Sequence, residues 1–420
     1  MSKSFQSPAI KTLLAIFFFI FFEDTVTGQQ SVISKASLYF PPAGSWDIRT
    51  PASMGLNPAA LDSTVAYAIL NESKNPRILR NDQAATFGKE PFGEIIGPMP
   101  DRGEPTGIIV YKGFIIKSWG EPLRCDMTHS VTKSFLSTVV GLAIDSGLIR
   151  NVQDTVASYV PPIEILNTGT NATGSNAGIV SELLNPFSTI HNRTITWNDM
   201  LRQTSDWEGT LWGKPEWADR PDSSQVDWKN RPRHKSGSVW EYNDVRVNAL
   251  ALAATSVWRR SLPEVLKEKI MDPIGASNSW RWTGYRNAWI VLDGHAIQSV
   301  SGGGHWGGGM LINAYDLARF GLLTMHMGNW RGKQLISRDW IKLALTPTPG
   351  KAGYGFMNWY LNLDKKLMPS APATAFIHLG NGANIIYVDP ENELVMVVRW
   401  IDSRKLDGLV KELLKAVKSK

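Results

Sequence analysis

The sequence predicts an α+β fold: an antiparallel sheet flanked by helices, with strands from both ends of the chain and a helical subdomain inserted between them. β-rich runs lie near the start, at 107–111 and 114–119, and again near the end, between 375 and 400. From about 150 to 300, polar loops alternate instead with short helical patterns. Strands therefore bracket a helical middle, which is the pattern expected of such a fold.

The first predicted elements are a helix and a hairpin. Leu61, Val65 and Ile69 recur at helical spacing and predict a helix from Pro58 to Asn71. The two β-rich runs that follow are joined through Lys112-Gly113, a typical turn, so we expect them to pair as a hairpin.

A second helix is predicted from Ser130 to Asp145, with Gly147 as its stop signal. Its residues are apolar nearly all round, so we expect it to be central and buried. The rest of the chain adds further helices, a glycine-rich loop and three late strands. These are helices at Asn198–Gln203, Asp244–Trp258 and Ala314–Met325, the loop Gly302–Gly309, and strands at Ala375–Leu379, Ala383–Val388 and Leu394–Trp400.

The composition is that of a globular protein. The 420 residues are 43% hydrophobic and 20% charged, enough for one large domain or two coupled ones around a full core. The net charge is +6, and part of the excess surrounds an amphipathic helix in the C-terminal tail. No basic-aromatic run indicates nucleic-acid binding. Cys125 is the only cysteine, so no internal disulfide can form, and its position between apolar segments favours a buried residue over a nucleophile.

The first residues are typical of a secretory signal peptide. Lys3 and Lys11 precede an apolar run from Leu13 to Phe22, and small residues follow up to Gly28. The run is short for a membrane span, which disfavours an uncleaved anchor. We therefore expect residues 1–28 to be removed, leaving a secreted or periplasmic protein without stable membrane insertion.

Ser130 is followed three residues later by Lys133, at the start of the predicted buried helix. Positions three apart share a face of a helix, so the Lys133 side chain is expected to run beside the Ser130 hydroxyl. A serine hydroxyl is a poor nucleophile unless a nearby base removes its proton, and a desolvated lysine can serve as that base. Ser-x-x-Lys also occurs by chance, so the interpretation depends on companion motifs.

Two later segments supply such companions. Tyr242 lies where a turn leads into a helix, and its phenol, both donor and acceptor, could share a proton with Ser130 and Lys133. The segment His378–Gly382 ends a strand; Gly380 there lets a substrate approach the backbone, and the next N–H can point at a developing oxyanion. Taken singly, these segments also fit a core tyrosine and a plain turn between two strands.

Together the motifs resemble the β-lactamase and penicillin-recognising serine hydrolases, most closely the class C-like branch that includes family VIII esterases and nylon-oligomer hydrolases. That family carries Ser-x-x-Lys at the start of a buried helix, Tyr-x-Asn in the helical region and Lys/His-x-Gly on a late strand. The same order appears here as Ser130 and Lys133, then Tyr242, then His378 and Gly380. The resemblance runs from about residue 40 to residue 402 and implies a β-lactamase-like fold.

The resemblance also implies a domain organisation. Residues 29–420 are expected to form one β-lactamase-like serine hydrolase domain. Its α/β part would span about 40–125 and 300–420, and its helical part about 126–299. No metal or organic cofactor is implied, and no oligomeric state follows from the sequence.

Asp244 departs from the family pattern. It stands two residues after Tyr242, where better-known members of the family have asparagine. An acid near Lys133 would favour the charged ammonium and work against the role of the lysine as a base. Alternatively, Asp244 hydrogen-bonds elsewhere as a helix residue. The departure bears on the turnover of true β-lactams more than on serine chemistry itself.

The mechanism implied is acyl transfer. Ser130 would attack the carbonyl of a small ester or amide substrate and form an acyl-enzyme, which water then cleaves. The backbone N–H groups of Ser130 and Asn381 would form the oxyanion hole, and Lys133 and Tyr242 would move the proton. His378 would contact a carboxylate or polar group of the substrate.

Other interpretations remain open at this stage. Trp207, Trp212 and Trp217 either line the substrate cleft or pack the helical region. A penicillin-binding or sensing protein of the same fold, with little or no turnover, is the alternative to a hydrolase. It would accumulate a covalent acyl-enzyme without releasing product.

Overall fold

Antiparallel sheets packed against helices make up the structure, which is a computed structural model. It describes residues 38–167, 180–221, 229 and 231–417, and the expected signal peptide lies outside these residues. The strands, in chain order, are β1 (Thr106–Tyr111), β2 (Phe114–Trp119), β3 (Asp126–Met127), β4 (Ile163–Asn167), β5 (Val180–Leu184), β6 (Thr210–Leu211), β7 (Lys214–Pro215), β8 (Arg281–Leu292), β9 (His295–Val300), β10 (Gly309–Ile312), β11 (Asn329–Trp330), β12 (Lys333–Gln334), β13 (Trp359–Leu361), β14 (Phe376–Gly380), β15 (Asn384–Asp389) and β16 (Leu394–Arg399). The helices are α1 (Pro58–Leu70), α2 (Leu79–Ala85), α3 (Thr132–Asp145), α4 (Trp197–Arg202), α5 (Asp244–Trp258), α6 (Leu262–Leu266), α7 (Ala314–Met325), α8 (Arg338–Ala344) and α9 (Leu406–Val417).

The larger sheet joins the two ends of the chain. Its strand order is β13-β14-β15-β16-β1-β2, and every neighbouring pair is antiparallel. The contact between β1 and β16 pairs Ile108 with Val397, so a strand from the first third of the chain lies against one close to the C-terminus. The predicted α+β fold, with an antiparallel sheet built from both chain ends and flanked by helices, is confirmed.

A second sheet takes most of its strands from the segment that the sequence indicated as helical. Its order is β3-β10-β8-β4-β5, and β9 pairs with β8 as a long hairpin. The helices α4 and α5, which the sequence predicted in this segment, are also present. The middle of the chain therefore combines helices with strands that the sequence analysis missed.

Alternating side chains of the larger sheet face two separate cores. Ile108 and Val397 pack with α3, α5 and α7 on one face, whereas Ile109 and Val398 pack with α1 and α9 on the other. Alternation is expected because successive side chains of a strand point to opposite faces. Burying one such aliphatic side chain stabilises the fold by about 1.5–3 kcal/mol. Apolar packing against helices therefore stabilises both faces of the sheet.

The helices match the expected burial. α3 is buried along nearly its whole length, from Thr132 to Ala143, as its apolar sequence predicted. The tail helix α9 instead buries one side, on which Leu409 and Leu413 lie against the sheet. Among the described residues, no helix is both long and apolar enough to cross a membrane.

Candidate active site

Ser130 lies where a short turn enters the buried helix α3. The turn, His129–Val131, is a single 3₁₀ turn and passes directly into α3 at Thr132. His129 has a φ of 49°, in the left-handed region that residues other than glycine rarely occupy. Strained backbone of this kind is held by surrounding structure and clusters at functional sites. The turn leaves Ser130 half-buried, on the wall of a cavity of about 490 Å³.

Lys133 and Tyr242 hold the Oγ of Ser130. The Nζ of Lys133, one helical turn later, lies 2.9 Å from this oxygen. The hydroxyl of Tyr242 donates to the same oxygen across 2.8 Å. Lys133 is fully buried, and its Nζ lies 4.7 Å from the centre of the Tyr242 ring. The structure therefore brings together the serine, lysine and tyrosine that the sequence singled out.

Asp244 contacts Lys133 directly. It is the first residue of α5, whose start is fixed by the Asn243 side chain accepting from the backbone N–H of Arg246. The Oδ1 of Asp244 lies 2.5 Å from the Nζ of Lys133. Its Oδ2 lies 2.9 Å from the Nη1 of Arg220. The departure from Tyr-x-Asn thus places a carboxylate on the lysine, and the alternative in which Asp244 bonds only elsewhere is wrong.

Burial and neighbouring charges set the pKa values of this group. Burial lowers the pKa of Lys133 below its ordinary value, although the carboxylate of Asp244 opposes the shift. Burial by itself would raise the pKa of Asp244, but Lys133 and Arg220 outweigh it and hold this pKa well below the ordinary range. Burial raises the pKa of Tyr242 well above its ordinary value. Asp244 is therefore a carboxylate and Tyr242 a neutral phenol, which leaves Lys133 as the group that can exchange a proton with Ser130.

Asn358 binds the Tyr242 hydroxyl, and the sequence analysis missed it. Its Oδ1 lies 3.1 Å from the phenolic oxygen, and its Nδ2 donates to the carbonyl of Leu379. The single phenolic proton can go to Ser130 or to Asn358. When it goes to Asn358, the phenolic oxygen is free to accept a hydrogen bond from the hydroxyl of Ser130. No motif marks this asparagine, because 116 positions separate it from Tyr242.

The end of β14 packs against the turn that carries Ser130. A Cβ on Gly380 would lie 2.0 Å from the carbonyl oxygen of Thr128 and 3.2 Å from the backbone nitrogen of Ser130, so only glycine fits here. Asn381 follows immediately and lines the same cavity as Ser130. The two backbone N–H groups predicted to form an oxyanion hole therefore belong to segments in direct contact.

A comparison with protein families finds a match for this sequence. A family model described as Beta-lactamase matches residues 127–402, about two thirds of the sequence. The chain belongs to the beta-lactamase family. The resemblance to the β-lactamase family that the sequence motifs indicated is thereby confirmed, and the class C-like branch stays a prediction. Among curated proteins, none matches this sequence.

Solved structures share the fold at low sequence identity. A penicillin-binding protein homologue from Caulobacter crescentus is 15% identical, with 86% of this chain and 99% of that chain covered and a TM-score of 0.52. EstCE1, described as a hydrolase with promiscuous acyltransferase activity, is 14% identical, with 85% and 99% covered and a TM-score of 0.50. SurE solved with D-Leu is 12% identical, with 86% and 76% covered and a TM-score of 0.52. At these identities the likeness extends to the fold alone.

In this beta-lactamase-family protein, the His378 side chain does not reach the cavity. It is fully buried, its Nδ1 lies 2.9 Å from the Oγ of Ser134, and its ring packs edge-on against Trp359. Burial lowers the pKa of His378 to about 3, so the ring is neutral. The predicted contact between His378 and a substrate is therefore wrong, because the strand turns this side chain toward the core beneath α3.

The wall of the cavity combines polar and apolar groups and carries positively charged side chains. Lys74 and Arg220 line it together with Ser130, Tyr242 and Asn358. Trp207, Trp212 and Trp217, which the sequence offered as possible cleft residues, do not line this cavity in the part of the chain that the structure describes. Trp207 and Trp212 are instead buried in the core, whereas Trp217 lies edge-on to Phe92, which favours the packing alternative. Cys125 is half-buried, lies off this wall and has its sulfur 3.2 Å from the Oγ of Ser279.

The glycine-rich loop packs on the Lys133–Asp244 pair. A Cβ on Gly303 would lie 2.0 Å from the Oδ1 of Asp244 and 2.1 Å from the Nζ of Lys133. No side chain therefore fits at this position without moving the two charged groups. The sequence showed the loop but not what it covers.

A second cluster of titratable groups adjoins the pair. Glu90, Asp219 and His305 bring donor atoms within 4.8 Å of one another. The Nε2 of His305 lies 2.7 Å from the Oε2 of Glu90. On the other side of the same ring, the Nδ1 of His305 lies 3.1 Å from the Nη2 of Arg220. A guanidinium among the donors repels a cation. The geometry is therefore typical of a buried ion-pair network rather than of a metal centre.

Proposed function

We propose that the protein is a serine hydrolase that cleaves ester or amide bonds through an acyl-enzyme on Ser130. The observation that carries this proposal is the Oγ of Ser130, which is held at 2.9 Å by the Nζ of Lys133 and at 2.8 Å by the hydroxyl of Tyr242. A serine that is hydrogen-bonded to a buried lysine able to take up its proton, and to a phenol that fixes its orientation, is an activated nucleophile. Membership of the beta-lactamase family supports the same reaction class.

Acylation forms the bond between the Oγ of Ser130 and the substrate carbonyl carbon. The serine proton passes to Lys133, directly or through Tyr242, and is then given to the leaving alcohol or amine as the scissile bond breaks. Water attacks the acyl-enzyme in the second half of the reaction, and Ser130 regains its proton as the acid is released. Ser130, Lys133 and Tyr242 thus take part in both acylation and deacylation.

The tetrahedral intermediate needs partners for its negative oxygen. The backbone N–H groups of Ser130 and Asn381 are the donors in this proposal, since Gly380 keeps their two segments in contact. Ser130 also lies at the N-terminal end of α3, where the partial positive charge of a helix favours an oxyanion.

A fluorophosphonate probe tests the proposal without knowledge of the natural substrate. The purified protein is treated with the probe, and the adduct is located by mass spectrometry beside a Ser130→Ala variant. We expect labelling at Ser130 that is absent from the variant. A folded protein that stays unlabelled would refute the activated serine, and a label on Cys125 would mean that the nucleophile is misassigned.

The second candidate is a penicillin-binding or sensing protein with little turnover. The contact of 2.5 Å between Asp244 and Lys133 favours it, because a carboxylate at this distance stabilises the protonated lysine. Intact-mass analysis after addition of penicillin or an activated ester separates the two. An acyl-enzyme that persists without product indicates the binding protein, whereas release of product indicates the hydrolase.

Export is part of the same proposal. The sequence of residues 1–28 is typical of a signal peptide, and cleavage after Gly28 would leave Gln29 first. N-terminal sequencing of the protein recovered outside the cytoplasm tests this directly. Recovery of an intact N-terminus would contradict cleavage.

A further inference from the structure

Arg220 forms part of the cavity wall and reaches from there to the buried carboxylates. Its side chain is 32% exposed, and its Nη1 lies 2.9 Å from the Oδ2 of Asp244 and 2.5 Å from the Oδ1 of Asp219. We propose that Arg220 is a positioning residue that holds Asp244 and offsets its negative charge, so that Lys133 can give up a proton. This inference rests on the proposed function of Ser130.

Asp244 by itself would oppose catalysis. A carboxylate 2.5 Å from the Nζ of Lys133 favours the ammonium form, yet a base must be neutral to accept the proton of Ser130. A protein that has aspartate at this position therefore needs a second cation. Arg220 meets this need because the carboxylate is divided between two partners, with Oδ1 on Lys133 and Oδ2 on Arg220.

The position of Arg220 is fixed on several sides. The backbone N–H of Asp244 donates to Asp219, whose carboxylate also binds Arg220, so the three residues form a closed ring of contacts. The guanidinium lies 5.1 Å from the centre of the Phe87 ring and 5.0 Å from that of the Tyr242 ring. Any rotation of the Arg220 side chain out of this position would break its ion pair with Asp244 and leave Lys133 as the paired cation of that carboxylate.

A histidine also faces the same carboxylate. The Nδ1 of His305 lies 3.6 Å from the Oδ2 of Asp244, and its Nε2 lies 2.7 Å from Glu90 and 3.7 Å from Asp219. Tyr242 also borders the pair, as a neutral phenol. Because His305 contacts the same carboxylate, a test of Arg220 must be repeated in a His305→Gln background.

The competing explanation is structural. Arg220 joins two buried carboxylates, and its loss would destabilise the fold even without any effect on Lys133. A purely structural role lowers the free energy of unfolding but leaves the pH dependence of Ser130 reactivity unchanged in the molecules that remain folded. The pH profile is therefore the decisive readout.

The experiment measures the rate constant of fluorophosphonate labelling at Ser130 between pH 5 and pH 10. We expect the rise in rate with pH to move upward by about one unit in Arg220→Gln, because a nearby cation that opposed the ammonium is lost. Arg220→Lys keeps the charge and should restore the wild-type midpoint in large part. Asp244→Asn should move the midpoint downward. Arg260→Gln, which removes an exposed arginine paired with Glu268 at 2.9 Å, is the matched control and should leave it unchanged.

The outcomes separate this inference from the function on which it rests. Opposite shifts in Arg220→Gln and Asp244→Asn, the former persisting in the His305→Gln background, support it. If the wild type, Arg220→Gln and Asp244→Asn are all labelled at Ser130 with the same pH midpoint, this inference is overturned and the proposed function stays intact. Should Arg220→Gln fail to fold, an unchanged or raised midpoint in Asp244→Asn overturns it alone. Absence of labelling in the wild-type protein refutes the proposed function and this inference with it.

Discussion

The hydroxyl of Tyr242 donates to the Oγ of Ser130 across 2.8 Å, although 112 positions separate the two residues in the sequence. The contact exists because α5 begins two residues after Tyr242 and packs against α3, which begins two residues after Ser130. The start of each helix thus positions one of these two residues. The relationship makes the phenol the first group to examine by mutation.

Removal of the phenolic oxygen should cost most of the reactivity. We expect Tyr242→Phe to lower the rate constant of fluorophosphonate labelling by about 10²–10⁴-fold, the usual contribution of a positioned acid–base group. Tyr159→Phe is the matched control, since its hydroxyl binds Arg150 and Asp154 away from the cavity. Near-normal labelling of Tyr242→Phe would show that this hydroxyl does not take part.

A methyl group at Gly303 should disturb the charged pair beneath it. Its Cβ would lie 2.0 Å from the Oδ1 of Asp244 and 2.1 Å from the Nζ of Lys133. We expect Gly303→Ala to lower the free energy of unfolding by about 1–3 kcal/mol through overpacking and to move the midpoint of the labelling pH profile. Gly353→Ala, whose Cβ would meet nothing closer than 3.6 Å, serves as the control in both urea unfolding and labelling. An unshifted midpoint in Gly303→Ala would contradict the contact.

A methyl group at Gly380 should act differently. It would lie 2.0 Å from the carbonyl oxygen of Thr128 and push β14 away from the turn of Ser130. We expect Gly380→Ala to lower the maximal labelling rate by about tenfold or more, as loss of an oxyanion donor does, while the midpoint of the pH profile stays in place. The midpoint should not move because Lys133 keeps its contacts with Asp244 and Ser130 in this variant. A wild-type maximal rate would rule out an oxyanion role for this end of the strand.

Buried neutral histidines should make the fold sensitive to acid. Burial lowers the pKa of His378 to about 3 and that of His129 to about 4, whereas both rings titrate near 6.5 when unfolded. The unfolded chain therefore binds more protons, so stability is fully present above pH 6.5 and is lost as the pH falls. Each histidine should cost about 2 kcal/mol of stability between pH 7 and pH 5.

Urea unfolding at pH 7 and pH 5 checks this expectation. His378→Asn should lower stability at pH 7 but show a smaller loss between the two pH values than the wild-type protein. His295→Asn replaces an exposed histidine and is the control, with a loss equal to that of the wild type. An equal loss in His378→Asn would mean that His378 takes up its proton in the folded state.

Elements with local signals could be predicted from the sequence, whereas the second sheet could not. The helix Ala314–Met325 has the bounds expected from its pattern, because Asn313 caps it through the backbone N–H of Asp316. β8 carries Gly284 within its length, and its pairing with β9 shifts register after that residue. A strand of this kind lacks the regular alternation that marks a half-buried strand.

The site was predictable only where residue type and order carry the signal. Ser130, Lys133 and Tyr242 were found by their motifs, but Arg220 and Asn358 contact this group from distant segments and leave no local pattern. His378 was misjudged because the motif gives the residue and not the face of the strand. Alternate side chains of β14 point to opposite sides, and this one points into the core.

β14, which touches the turn of Ser130 through Gly380, follows the serine by more than half of the sequence. β14 begins at Phe376, close to the C-terminus, so a growing polypeptide exposes the serine long before the strand that completes its surroundings has been made. A chain arrested before this point carries Ser130 without the strand that packs against its turn. We therefore expect probe labelling of Ser130 to report chains in which β14 has been made and has docked on the turn of the serine.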